Sequence, residues 1–191
     1  QASQPFEQTT MHTAQPIQQA APVNHAQMPP AEKLATCLAD QQAAQIMVTV
    51  CTDALQTPNL PPQNLARVRA NRGISYVELK QYQNGLNDLN VALDLDPKDE
   101  VAVLNRGFAY YNLGQYEAAG AEYNKAIELN PNDASAIGAR GDLESRNWQL
   151  GAAINDYQKA TQLRPNDFLG WKSLCLTRAM AGTDLTQAVS E

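Results

Sequence analysis

From residue 31 onward, apolar side chains recur at i, i+3, i+4 and i+7 in paired blocks joined by short polar breaks. Between 66 and 167 the breaks fall near Lys80-Gln81, Gly114-Gln115 and Asn147-Trp148. Each pair of blocks closes on a proline: Pro97, Pro131 or Pro165. Proline cannot continue a helix, so it separates one pair from the next. The pattern predicts antiparallel helix pairs.

The pairs repeat in units of 34 residues. Unit one is 66–99, unit two 100–133, unit three 134–167, and a partial fourth runs over 168–191. The full units end alike, in "DLDPKD", "ELNPND" and "LRPND". Small residues stay in register. Gly73, Gly107 and Gly141 hold the eighth position, with Cys175 next in line. Gly85, Ala119 and Ala153 hold the twentieth, and Ala92, Ala126 and Ala160 the twenty-seventh. Bulky residues stay in register too, with Tyr76 and Tyr110 at the eleventh position and Leu89, Tyr123 and Tyr157 at the twenty-fourth. Small residues let helices approach closely and large ones fill the holes between them.

The Arg-Gly step at Arg72-Gly73, Arg106-Gly107 and Arg140-Gly141 reads as architecture used three times, since stacking alone demands such recurrence. Glycine is expected where neighbouring helix backbones crowd. The arginine packs its stem while its guanidinium reaches a carboxylate or carbonyl between repeats.

A helix–turn–helix unit of this length with Gly at 8, Tyr at 11, Ala at 20 and 27 and Pro at 32 resembles the tetratricopeptide repeat. Trp171 matches the tryptophan of position 4. The resemblance covers 66–191 and implies an all-α, right-handed α-solenoid of antiparallel helix pairs. A divergent helix pair and linker, 31–64, precedes it. "AEKLATCLADQQAAQIMVTVCTDALQTP" has its turn near Gln42–Ala44, and "NLPPQN" lengthens the junction. Such an atypical first unit suits a terminal cap. Residues 1–30, rich in Gln, Pro, Ala and Thr with Glu7 the only charged side chain, read as a disordered tail acting as a spacer.

The formal net charge of −6 argues against a nucleic-acid partner, which would call for a basic stripe. No apolar run approaches the roughly 20 residues of a membrane span. Catalytic chemistry is missing as well. His12 and His25 both lie in the tail, leaving the repeats no histidine base. There is no His/Cys cluster at metal spacing and no glycine-rich phosphate loop, so neither an enzyme, a metal nor a cofactor is expected. Arg140-Gly141-Asp142 spells an adhesive tripeptide but falls mid-helix.

Cys37 and Cys51 lie at nearly equal distances from the first turn, so an antiparallel hairpin brings them together. A disulfide there closes a loop of about fifteen residues; the competing reading is two buried thiols in a cytosolic protein. The disulfide reading points to a periplasmic or otherwise exported protein, with a cytoplasmic one as the alternative. Gln1 reads as a processing boundary.

The resemblance implies a concave groove lined by positions 2, 5, 9, 12 and 13 of each first helix. Its candidate partner-binding residues here are Arg67, Ile74, Val77, Val101, Leu104, Phe108, Tyr111, Asn112, Asp142 and Arg146. A clamp for C-terminal carboxylates, known in the family, needs Lys, Asn, Asn, Lys and Arg where this chain has Ala70, Ile74, Asn105, Ser135 and Ala139. Only Asn105 fits. Val101, Leu104, Phe108 and Tyr111 instead form an apolar strip suited to an apolar or amphipathic peptide, with Phe108 and Tyr111 as its anchors. The expected function is a non-catalytic adaptor binding a protein or peptide in that groove, in the bacterial cell envelope. The alternative is a self-assembly module dimerising through its last helices.

Overall fold

The computed structural model describes residues 25–39 and 42–182. The expectation of a disordered tail falls mainly on 1–24, outside the described residues, as do 183–191 at the end of the partial unit. Among the described residues a 3-10 turn at His25–Gln27 precedes nine α-helices, with no strand. They are α1 (Pro30–Ala39), α2 (Ala44–Ala54), α3 (Pro62–Glu78), α4 (Tyr82–Leu95), α5 (Glu100–Asn112), α6 (Tyr116–Leu129), α7 (Ala134–Arg146), α8 (Leu150–Leu163) and α9 (Phe168–Met180). Each helix packs on its successor, and each odd-numbered helix also touches the next odd-numbered one. The result is an all-α solenoid with the odd helices lining one face.

The residue that closes each unit starts the next. The carboxylates of Asp99, Asp133 and Asp167 accept hydrogen bonds from the backbone N–H of Ala102, Ser135 and Leu169, at 2.9, 2.8 and 3.0 Å. Each satisfies an orphan donor of the first turn of α5, α7 or α9. Inside each of the three full units the turn takes one left-handed residue: Lys80, Gly114 or Trp148, at φ 60°, 77° and 59°. Only Gly114 adopts this without a Cβ penalty.

The structure departs from the sequence reading in two places. α3 begins at Pro62, so the second half of the expected linker is helical, and α3 runs 17 residues against 13 for α5. Pro62 sits at the helix start, where a fixed φ is pre-set and a missing N–H is no loss. The eighth-position glycines also differ in what crowds them. A Cβ on Gly107 would stand 2.7 Å from the Tyr123 ring, and one on Gly141 3.0 Å from the Tyr157 ring. Backbone crowds only the Gly73–Gly85 crossing, at 3.2 and 3.0 Å. In all three units the glycine makes room for the bulky residue at position 24, since a Cβ on Gly73 would also stand 2.8 Å from the Leu89 side chain.

The arginines of the Arg-Gly step form a ladder. Arg72 holds Asp88 bidentately (Nε–Oδ2 2.6 Å, Nη2–Oδ1 2.9 Å) and donates to Thr52 Oγ1 at 2.9 Å. Arg106 donates to Glu122 at 2.8 Å and Asn90 at 3.1 Å. Arg140 holds Asp156 at 2.7 and 2.8 Å and reaches Asn124 at 3.0 Å. Each guanidinium thus ties the second helix of its own unit to the second helix of the unit before. These charge-assisted bonds hold the Arg72 and Arg140 guanidiniums above their ordinary pKa.

In the first pair Cys37 of α1 and Cys51 of α2 are joined as a disulfide, Cα atoms 5.1 Å apart, both sulfurs fully buried. Met47, Val50, Ala54 and Val68 pack around it, so the bridge is the centre of the small core between this pair and α3.

Candidate functional site

The inner faces of α5, α7 and α9 enclose a cavity of about 290 Å³, open to solvent, with the last turn of α8 behind it. Its breadth comes from missing side chains. On α7 the inward row is Ser135, Gly138, Ala139 and Asp142, and on α9 Gly170 and Ser173 face them. A Cβ on Gly138 would meet nothing nearer than the Ala160 methyl at 4.0 Å. Phe108 forms one wall and the exposed Leu169 the rim.

Asp142 lies at the centre of the site's polar chemistry. Buried Tyr157 donates its hydroxyl to Asp142 Oδ1 at 2.6 Å. The residue is exposed, yet it lines the groove, and the protein around it partly desolvates the carboxyl. That desolvation raises its pKa, opposed by the Tyr157 hydrogen bond. Burial likewise raises the phenols of Tyr157 and Tyr123, and the nearby Asp142 charge pushes both further. All three groups therefore disfavour added negative charge.

The sequence-predicted groove residues are not one surface. Phe108, Asp142 and their neighbours meet at the cavity. Arg67 is used elsewhere, donating to the Leu38 carbonyl at 2.8 Å and tying α3 to α1. Ile74 and Val77 are half-buried against the main core. Leu104 is core at 7% exposure, whereas Val101 is 52% exposed, so the expected apolar strip is interrupted. The Phe108 ring meets Tyr123 edge-on at 5.7 Å, and Tyr111 meets Tyr116 at 5.5 Å. Asn112 donates to the Phe108 carbonyl of its own helix. Arg146 lies 4.3 Å over the Tyr116 ring. Sequence reasoning missed Tyr157 and Ser173, which lie outside the position pattern used to choose groove residues. The signal for Tyr157 was its register with Tyr123.

No cluster of metal-binding side chains occurs among the described residues, and none of their helices is long and apolar enough to cross a membrane. The arrangement is that of a helical-repeat protein with an open groove. Residues 102–133 match the sequence model of the tetratricopeptide repeat. Residues 102–133 are thus a tetratricopeptide repeat, and the fold around them is a solenoid like those of tetratricopeptide-repeat proteins. No curated protein matches it by sequence. Among solved structures it is similar to the first TPR of Spaghetti (RPAP3) bound to an HSP90 peptide, SRMEEVD. Identity is 25% and TM-score 0.60, over 66% of this chain and 100% of that one. The first TPR domain of the human RPAP3 protein gives 26% and 0.56, over 67% and 94%. MamA from Desulfovibrio magneticus RS-1 gives 20% and 0.67, over 89% and 92%, a likeness of fold alone.

Proposed function

We propose that the protein is a non-catalytic adaptor that holds a peptide segment of a partner protein in the groove between α5, α7 and α9. The observation that carries this is the open cavity, kept clear at Gly138, where an added side chain would enter free space. The tetratricopeptide repeat is typically an interaction module, and an RPAP3 domain of the same fold is bound to an HSP90 peptide. That peptide, SRMEEVD, is acidic. This groove has Ser135 and Ala139 where a carboxylate clamp needs bases and places Asp142 beside them, so it suits a different peptide.

Gly138→Leu is the cleanest test, because it fills the cavity from a position with free space. Peptides selected from a random display library on the wild-type chain should bind Gly138→Leu at least about tenfold more weakly, with its melting temperature retained. Equal binding to both overturns the groove reading. Phe108→Ala is less informative, since that ring also packs on core Tyr123.

A cell-envelope setting remains part of the proposal, and the Cys37–Cys51 disulfide supports it, since such bonds persist in oxidising compartments. A reduced pair in protein isolated under thiol-trapping conditions would remove that support. The alternative, dimerisation through the last helix, is favoured by Phe168, Leu169, Leu176 and Met180, all more than half exposed on α9. Sedimentation as a monomer at high concentration would dismiss it.

A further inference from the structure

We propose that the groove cavity is a socket for a lysine or arginine side chain of the bound peptide, with Asp142 as its counter-charge. This rests on the groove reading above and adds the chemistry of its occupant. Asp88, Glu122 and Asp156 each hold an arginine of the ladder, and Asp53 holds Lys33. Among the described residues Asp142 has no cation within ion-pair distance. Its Oδ1 accepts from Tyr157 and is fixed in place, while Oδ2 has no protein partner among the described residues. A carboxylate anchored through one oxygen by Tyr157, with its other oxygen open to the groove, is suited to a charge-assisted hydrogen bond from outside.

The surroundings fit a long basic side chain. Gly138 leaves room for its stem, and Phe108 and Leu169 offer apolar surface to its methylenes. The charged groups of the lining are Asp142, Asp167 and Arg164. Asp167 is engaged in capping α9, and Arg164 ends α8 at the exposed rim, leaving a negative balance at the pocket. The raised pKa of Asp142 points the same way, because an arriving cation offsets the desolvation that raises it. A chain of net charge −6 also attracts basic segments at long range. The protein's own residues 1–30 contain no lysine or arginine, so they cannot fill the socket in cis.

The test uses the peptides selected on the full wild-type chain. They should carry lysine or arginine at one fixed position flanked by apolar residues. Replacing that residue by norleucine should weaken binding to wild type at least about tenfold, and binding to Asp142→Asn by less than about twofold. Asparagine keeps an acceptor for Tyr157, and an unchanged circular-dichroism melt verifies the fold. Selected peptides that are blocked by Gly138→Leu but lack a basic residue overturn the socket and leave the groove standing. So does a basic residue whose replacement costs the same on both proteins. Peptides indifferent to Gly138→Leu overturn the groove and the socket together.

Discussion

A methyl group added at Gly107 would press on the Tyr123 ring, which is 1% exposed; the same methyl at Gly151 would meet nothing within 4 Å. Gly107→Ala should therefore destabilise by about 1–3 kcal/mol, less the helix-propensity gain of about 1 kcal/mol. Gly151→Ala should leave stability unchanged or raise it by up to about 1 kcal/mol. Urea melts of the two variants check both signs, and a Gly107→Ala as stable as Gly151→Ala would refute the packing account. Asp142 supplies a second test at this scale. Its folded pKa is raised, so the fold favours the neutral carboxyl. That contribution is present below the ordinary carboxylate pKa of about 4 and lost as the pH rises through the raised value. Asp142→Asn should match or exceed wild-type stability at neutral pH, the gap closing in acid. A clear loss at neutral pH would show that the Tyr157 hydrogen bond and the rim charge of Arg164 stabilise the charged carboxylate instead. Sequence located both residues, since register marks every eighth-position glycine and groove spacing marks Asp142. It could not say that Gly107 yields to a ring, because that depends on how closely α5 and α6 cross.

At the scale of elements, the ladder and the disulfide fix helices to one another in different ways. Asp88, 2% exposed, is held by both Arg69 and Arg72. Asp88→Ala leaves two guanidiniums without their carboxylate and should cost about 3 kcal/mol, more than loss of an exposed pair, which is worth at most about 1. A guanidinium-chloride melt measures the difference. Reducing Cys37–Cys51 opens a loop spanning 14 positions and should cost roughly 3 kcal/mol. The loss should concentrate in α1 and α2, whose small core centres on the bridge. Hydrogen exchange should show those helices losing protection first, while α5–α8 keep theirs. A uniform loss would mean that the first pair and the repeats unfold as one unit. The arginines could be read from the sequence as reaching for carboxylates. Their partners Asp88, Glu122 and Asp156 recur in register just as plainly. Identifying them as partners required the facing of two antiparallel helices, since arginine and acid stand 16 residues apart.

For the molecule as a whole, the unit boundaries were legible because proline, glycine and the closing aspartate each have one physical use in a helix pair. The groove was legible only as a list of positions. Its lining draws on Gly138, Tyr157 and Ser173, on three different helices. No periodicity along one strip of sequence reports a hollow between three. The ladder has one more consequence. Arg106 and Arg140 reach back to Asn90 and Asn124, equivalent places in successive units, and each grips an acid of its own unit. A unit therefore carries both the plug for its predecessor and the outlet for its successor. Residues 100–133 are an insertable cassette: a second copy spliced after residue 133 would find Asn124 waiting and would offer its own to Arg140. Because solenoid stability grows with each added interface, the lengthened chain should melt at a higher temperature, in one transition, with proportionally more helix. A lower or split transition would show that the plug and outlet do not mate out of their native order.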